Sequence, residues 1–352
     1  MALDPEIEEI LKSIQNSDYD KNRETSPIRL PKTEQKSEIT EVESEPELPE
    51  PPKPKETAPA REEKAVKENK PKINADKKRL TVVCAAILII AVIAGAFAMA
   101  GVLYTKRYEA KYKVDFPKGI PHEMCDAYGK NQTLAGSLKI KDNDSEHLVY
   151  SEPPEGAALF EKGSDIKSNQ HYRAIALTRD MADLEALYKD AESYKKSSQS
   201  FIFTTIYGEK QKYQIIAAYI VNTDPKDDNG YAFPYNCYGN FTKKSYRNYQ
   251  DTIKCRSLYT TGYKIKDTDY CITLSVPSDI MPNFRFAVVG VKVDKINKLS
   301  KVKENARVRY PQAYCDKLGV HNIYNFAYKW YPEIITNEKT GETKQLTEKD
   351  FK

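Results

Sequence analysis

The longest apolar run in the chain covers residues 80–104, LTVVCAAILIIAVIAGAFAMAGVLY, 25 residues without a charge. At a rise of about 1.5 Å per residue, a helix of that length crosses a hydrocarbon core of roughly 30 Å with some tilt. A cleaved signal peptide would lie near the N-terminus with a shorter apolar core. A buried core helix is rarely apolar on every face over so long a stretch. The pattern therefore predicts a transmembrane anchor.

Beyond the span the pattern breaks into short segments. Compact or alternating apolar runs predict strands at residues 171–178, 201–206, 213–221, 270–275 and 285–293. The turn Tyr207-Gly208-Glu209-Lys210 separates two of them, and a loop opened by Pro277 separates the last pair. Helical spacing marks residues 182–195, through Leu184, Leu187 and Tyr188, and residues 242–255, through Tyr246, Tyr249 and Ile253.

Before the span the chain is polar. Residues 1–79 hold half of the 20 prolines, with 16 basic and 19 acidic residues for a net of −3. Such a segment cannot bury enough apolar surface to offset its ordering entropy, so a disordered tail is expected, polyproline-like over residues 41–55. Its first residues differ. Asp4 caps, Pro5 opens and Ile7, Ile10, Leu11 and Ile14 line one face of a predicted short helix over residues 5–14. Alone in water such a helix is marginal, so it frays or folds against a cytoplasmic partner or the inner membrane surface.

Residues 105–352 carry 39 basic and 32 acidic residues, a net of +7. That mild excess suits an anionic cell wall or membrane and is not the footprint of a nucleic-acid binder. No zinc-finger spacing or Gly-rich phosphate loop is present, and no cofactor or metal is expected. Five cysteines lie there, Cys125, Cys237, Cys255, Cys271 and Cys315. An odd number without regular spacing fits neither a disulfide framework nor a metal site.

Three local motifs point to one family. Residues 128–140, YGKNQTLAGSLKI, resemble the N-x-D-x-x-G-W-L-K-I entry to the first strand of class B sortases, with Ser137 in the Trp slot. Arg256-Ser257-Leu258-Tyr259 follows a helix where class B sortases often carry those residues. Thr273-Leu274-Ser275-Val276-Pro277 resembles the family's TLSTC strand end, and Arg285 opens the next strand. The order of elements follows the class B pattern over residues 128–293.

The resemblance implies a mainly β fold, a closed and mostly antiparallel sortase-type β-barrel with short rim helices. One transmembrane helix and the disordered tail would precede it. The expected division is a tail at 1–79, the transmembrane helix at 80–104 and a juxtamembrane stalk at 105–127. The barrel follows at 128–295, then an aromatic C-terminal extension at 296–352 that packs on it or offers a partner site. The positive-inside contrast is weak, because Lys70, Lys72, Lys77, Lys78 and Arg79 precede the span while Lys106, Arg107, Lys111 and Lys113 follow it. An N-terminus inside and a C-terminal domain outside are what the resemblance implies.

The family's chemistry needs a Cys thiolate, a His acid/base and an oxyanion-stabilising Arg. Pro277 fills the Cys slot. Leu177-Thr178-Arg179-Asp180-Met181 stands where the family has Y-G-H-N-M, so Arg179 fills the His slot. Arg285 alone keeps its role, and it also reads as a barrel-end arginine bound to a local acid or carbonyl. Proline offers no nucleophile, and arginine exchanges no proton near neutral pH.

The leading expectation is a catalytically inactive sortase-like protein at the cell surface of a Gram-positive cell. Its groove, lined by Arg179, Ser275 and Arg285, would take an extended peptide or a surface protein, and the two arginines would favour an acidic ligand. One alternative is an active cysteine transpeptidase with rearranged residues, Cys237 being the first thiol to suspect. Another is a transmembrane sensor relaying to a cytoplasmic partner. His122, His147, His171 and His321 lie outside the motif, and His171 should sit at the far end of the strand that leads to Arg179.

Overall fold

A computed structural model describes residues 73–224, 230–324 and 329–351. The expected tail and its helix at 5–14 lie outside the described residues, as do residues 325–328 of the extension.

The first element is a single helix, α1 (Ile73–Tyr112), 40 residues long. It is long and apolar enough to cross a membrane. Its apolar side chains are bare, Leu88 and Ile90 being 66% and 65% exposed. The helix runs past residue 104 into the stretch expected to be a stalk. It stops where Lys113 adopts φ +57°, outside the helical range.

After a one-turn 3-10 helix at His122–Met124 and α2 (Cys125–Lys130), the chain enters the barrel. Its strands are β1 (Leu134–Ile140), β2 (Ser145–Tyr150), β3 (Ala158–Phe160), β4 (Tyr172–Ala176), β5 (Ser200–Thr205), β6 (Lys210–Asn222), β9 (Cys271–Pro277) and β10 (Phe284–Val293). They close in the order β1-β2-β3-β4-β9-β10-β6-β5. Only β2–β3 and β4–β9 are parallel pairs. Alternation decides what faces inward: Leu138, Phe160, Ile175, Leu274 and Val288 fill the interior with at most 2% exposure.

Two short helices sit on the rim where one was expected over 182–195: α3 (Leu184–Tyr188) and α4 (Ala191–Lys196). Asp190 makes the break. Its backbone is extended and its carboxylate accepts the Ser193 N–H, which starts a second helix instead of continuing the first. A longer helix, α5 (Lys243–Arg256), begins at Thr242, whose hydroxyl accepts from Ser245 N.

The outer face of β6, β9 and β10 has its own core. Tyr219, Val221, Ala287 and Val289 pack there against Tyr249 of α5 and against Trp330. Trp330, Tyr331 and Phe351 of the extension thus cover this face, whereas Leu299, Val302, Val308, Tyr310 and Tyr314 pack against the barrel's own core. Three further strand pairs lie outside the barrel: β7 (Asn240–Phe241) pairs with β12 (Glu333–Asn337), which pairs with β13 (Glu342–Gln345), and β8 (Tyr259–Thr260) pairs with β11 (Lys303–Glu304). Helix α6 (Gln312–Leu318) lies between them in sequence.

Candidate functional site

The end of β9 and the start of β10 form the floor of the site. Asn283, at φ +64°, turns the chain into β10, and its carbonyl accepts from Thr223 N at 2.8 Å. That turn fixes the register: Arg285 lies opposite Pro277 and Ala287 opposite Ser275. Proline is tolerated there for a geometric reason. Ser278 N donates across to Phe284 O at 2.9 Å, so by alternation the nitrogen of Pro277 points the other way, toward β4. The last bond to β4 is Leu177 N on Ser275 O at 2.8 Å; Pro277 has no N–H to add another, and Arg285 Nη2 meets Leu177 O at 3.4 Å in its place.

Arg285 folds back over its neighbours. Its Nε donates to Ser275 Oγ at 3.1 Å, and its Nη2 donates to Ser275 O at 3.0 Å and to Leu177 O at 3.4 Å. Ser275 is consequently covered, with 1% exposure, and it does not line the groove as expected from sequence. The guanidinium lies on top of it. Arg179 stands at the rim and forms an ion pair with Asp279. Its charge is therefore already opposed.

A groove of about 620 Å³ opens over Pro277 and Arg285, with Glu161, Arg179, Tyr235 and Asn283 among its walls. Glu161 follows β3 directly, held by its backbone N–H on Ala174 O at 2.9 Å. Tyr235 comes from the loop between β6 and β7, and its hydroxyl donates to Glu161 Oε1 at 3.4 Å. Burial raises the Glu161 carboxyl above its ordinary pKa, opposed in part by the nearby Arg285 and by hydrogen bonds from Asn236 and Tyr235. Burial also raises the Tyr235 phenol, so it stays a neutral donor. The floor is thus close to charge-balanced, with a carboxylate near each arginine. An acidic ligand is not what this geometry selects.

Glu161 and Tyr235 were not singled out by sequence. Glu161 is one of 51 acids and Tyr235 one of 25 tyrosines, and neither sits in a motif. Only the closure of β3 against β4 brings position 161 within reach of position 285.

Among the described residues, none that lines this groove carries a thiol or an imidazole. Cys237 is 2% exposed within the outer core, and burial pushes its thiol up to about 12. Cys271 pairs with Tyr172 at the opposite end of β9, buried, its thiol well above the ordinary range. His171 is at that same far end, its Nδ1 3.2 Å from Asp267 O, while His147 meets Ser145 Oγ at 2.8 Å. Among the described residues no three His, Cys, Asp or Glu side chains cluster as metal ligands.

No family model and no curated protein matches the chain. Solved structures similar to it are class B sortases. Sortase B from Bacillus anthracis, in complex with AAEK1, is 14% identical, with 54% of this chain and 94% of that chain covered and a TM-score of 0.42. Sortase B from Clostridium perfringens is 13% identical, with 48% and 98% covered and a TM-score of 0.41. Sortase B from the type II pilus of Streptococcus pneumoniae is 16% identical, again with 48% and 98% covered and a TM-score of 0.41. The fold is sortase-like. At such identities the likeness is one of fold alone and carries nothing about the chemistry of the groove.

Proposed function

We propose that this chain is a membrane-anchored, cell-surface binding module of sortase-like fold that lacks cysteine transpeptidase chemistry. The observation that carries this reading is the pairing of Pro277 with Arg285 in a groove whose walls offer no thiol or imidazole. Acyl transfer by a sortase needs a thiolate within reach of the carbonyl and a base to manage protons. Proline and arginine supply neither.

The ligand that fits is an extended peptide or a segment of a surface protein. Glu161 and Arg285 give the groove one acceptor and one donor over a neutral floor, which suits a main-chain amide better than a row of acidic side chains. The anchor is α1, with the N-terminus inside and the barrel outside. A direct test incubates the full chain, in detergent micelles, with sorting-type peptides before and after alkylation. No turnover in either sample is expected, and thiol-sensitive turnover would overturn the reading. Protease added to intact cells tests topology: it should remove the barrel and spare the tail.

A relay function is the second reading. It is favoured by one observation, that α1 continues without a break into its contacts with the barrel base.

A further inference from the structure

The stretch expected to be a stalk behaves as part of the folded domain. Tyr104, the last residue of the apolar run, packs together with Tyr108 against a cluster made by Ile120, Met124, Leu134, Tyr150 and Ile206. Tyr108 and Phe116 rings lie 6.4 Å apart. The helix end is also pinned by charge. Asp126 accepts from Lys111 at 3.0 Å and from Lys130 at 2.5 Å, and it bonds the Tyr112 hydroxyl as well. Gly129 lets this happen, since a Cβ there would stand 2.1 Å from the Tyr112 ring.

The distance from Tyr104 to Tyr112 along the helix axis is about 12 Å. The interfacial layer on each side of a bilayer is roughly 5–8 Å deep. A barrel gripping the helix from Tyr104 onward therefore has no room for a spacer. What it presents around the helix is suited to that layer. Tyr207, beside the buried Ile206, is 44% exposed at the tip of the β5–β6 turn. Its backbone carbonyl meets Gly119, so the exposed Lys118 sits next to it. Lys106, Arg107 and Lys113 are exposed as well, with Asp115 and Glu123 the exposed acids of the same stretch, and none of these four cations forms an ion pair with a carboxylate among the described residues. Tyrosines and long basic side chains at the end of a span are the groups that settle at the headgroup level.

We propose that the base of the barrel, from the Tyr207 turn to Lys118, rests on the phospholipid headgroups around α1 and binds them. This inference rests on the reading of α1 as a membrane anchor. The test places the full chain in nanodiscs and reads tryptophan quenching by brominated lipids. Trp330, the one native tryptophan, is buried in the outer core and gives the background. Tyr207→Trp should lose emission to a degree comparable with Val102→Trp, which lies within the span. Adding Lys118→Glu should reduce that loss while leaving Val102→Trp unchanged. If the chain fails to enter nanodiscs, this inference and the anchor reading fall together. If Val102→Trp is quenched and Tyr207→Trp is not, the base stands clear of the membrane and this inference alone is overturned. If Tyr207→Trp is quenched but Lys118→Glu changes nothing, headgroup binding by the base is refuted.

Discussion

Pro277 and Arg285 are cross-strand partners at the open end of the barrel, and the Arg285 side chain is tied to Ser275 just below them. A cation is thus held beside a position that carries no reactive atom.

A thiol placed at that position should feel the cation. Pro277→Cys is expected to titrate below the ~8.5 of a free cysteine, because Arg285 favours the thiolate. Iodoacetamide labelling rates as a function of pH measure it. Adding Arg179→His supplies a titratable base, and turnover of a sorting-type peptide by the double variant would show that the groove is otherwise intact. A midpoint at or above the free value would mean that Arg285 does not reach position 277.

Arg285 also has a structural role. Arg285→Ala takes the guanidinium donor from the buried Ser275 hydroxyl and from the Leu177 carbonyl, while the Ser275 carbonyl keeps the Leu177 N–H at 2.8 Å, a loss of about 1–3 kcal/mol. Arg285→Lys should recover little of it, because one ammonium cannot reproduce the fork that reaches all three acceptors. Urea unfolding of the three proteins gives the comparison. Equal midpoints for Arg285→Lys and the wild type would contradict it.

Glu161 makes stability depend on pH. Its folded carboxyl is raised above the ordinary value of 4.5, so the folded state holds the proton more tightly than the unfolded one. Stability is therefore greatest below the unfolded pKa and declines as pH rises through the folded one. Glu161→Gln should flatten this decline, so its melting temperature should gain on the wild type as pH rises above 4.5. A gain that shrinks with rising pH would show the opposite shift.

The helix–barrel junction predicts a coupled pair. Gly129→Ala drives a methyl into the Tyr112 ring and should cost about 1–3 kcal/mol. Tyr112→Ala removes the clash, so the double variant should be more stable than the sum of the single effects allows. Thermal melts of the four proteins test this. Strict additivity would separate the two residues.

Cysteine reactivity distinguishes the remaining catalytic alternative. Four of the six cysteines, Cys125, Cys237, Cys271 and Cys315, are buried, and Cys237 has its thiol near 12. Thiolate is the reacting form and access is needed as well, so native protein should label at the half-buried Cys255 before Cys237, with Cys84 shielded inside the span. Peptide mapping after a short exposure to maleimide reads the order. Preferential labelling of Cys237 would reopen the case for a transpeptidase.

The sequence by itself determined the elements whose signal is local. The span, the strands at 201–206, 213–221 and 285–293, and the helix after Thr242 follow from hydrophobic period and capping, which need no knowledge of what lies across the fold. The absence of cysteine at 277 and histidine at 179 is likewise written in two positions of the chain. Tertiary structure decided the rest. Ser275 lies beneath Arg285 because a long side chain folds onto its cross-strand diagonal neighbour, which no spacing rule states. Glu161 joins the groove from 124 residues away only because β3, β4, β9 and β10 lie side by side in the closed barrel. The stalk became a docked helix because Tyr108 and Tyr112 found partners at 116, 126 and 129 and Tyr104 joined the cluster around Ile120 and Met124, contacts set by packing and not by period.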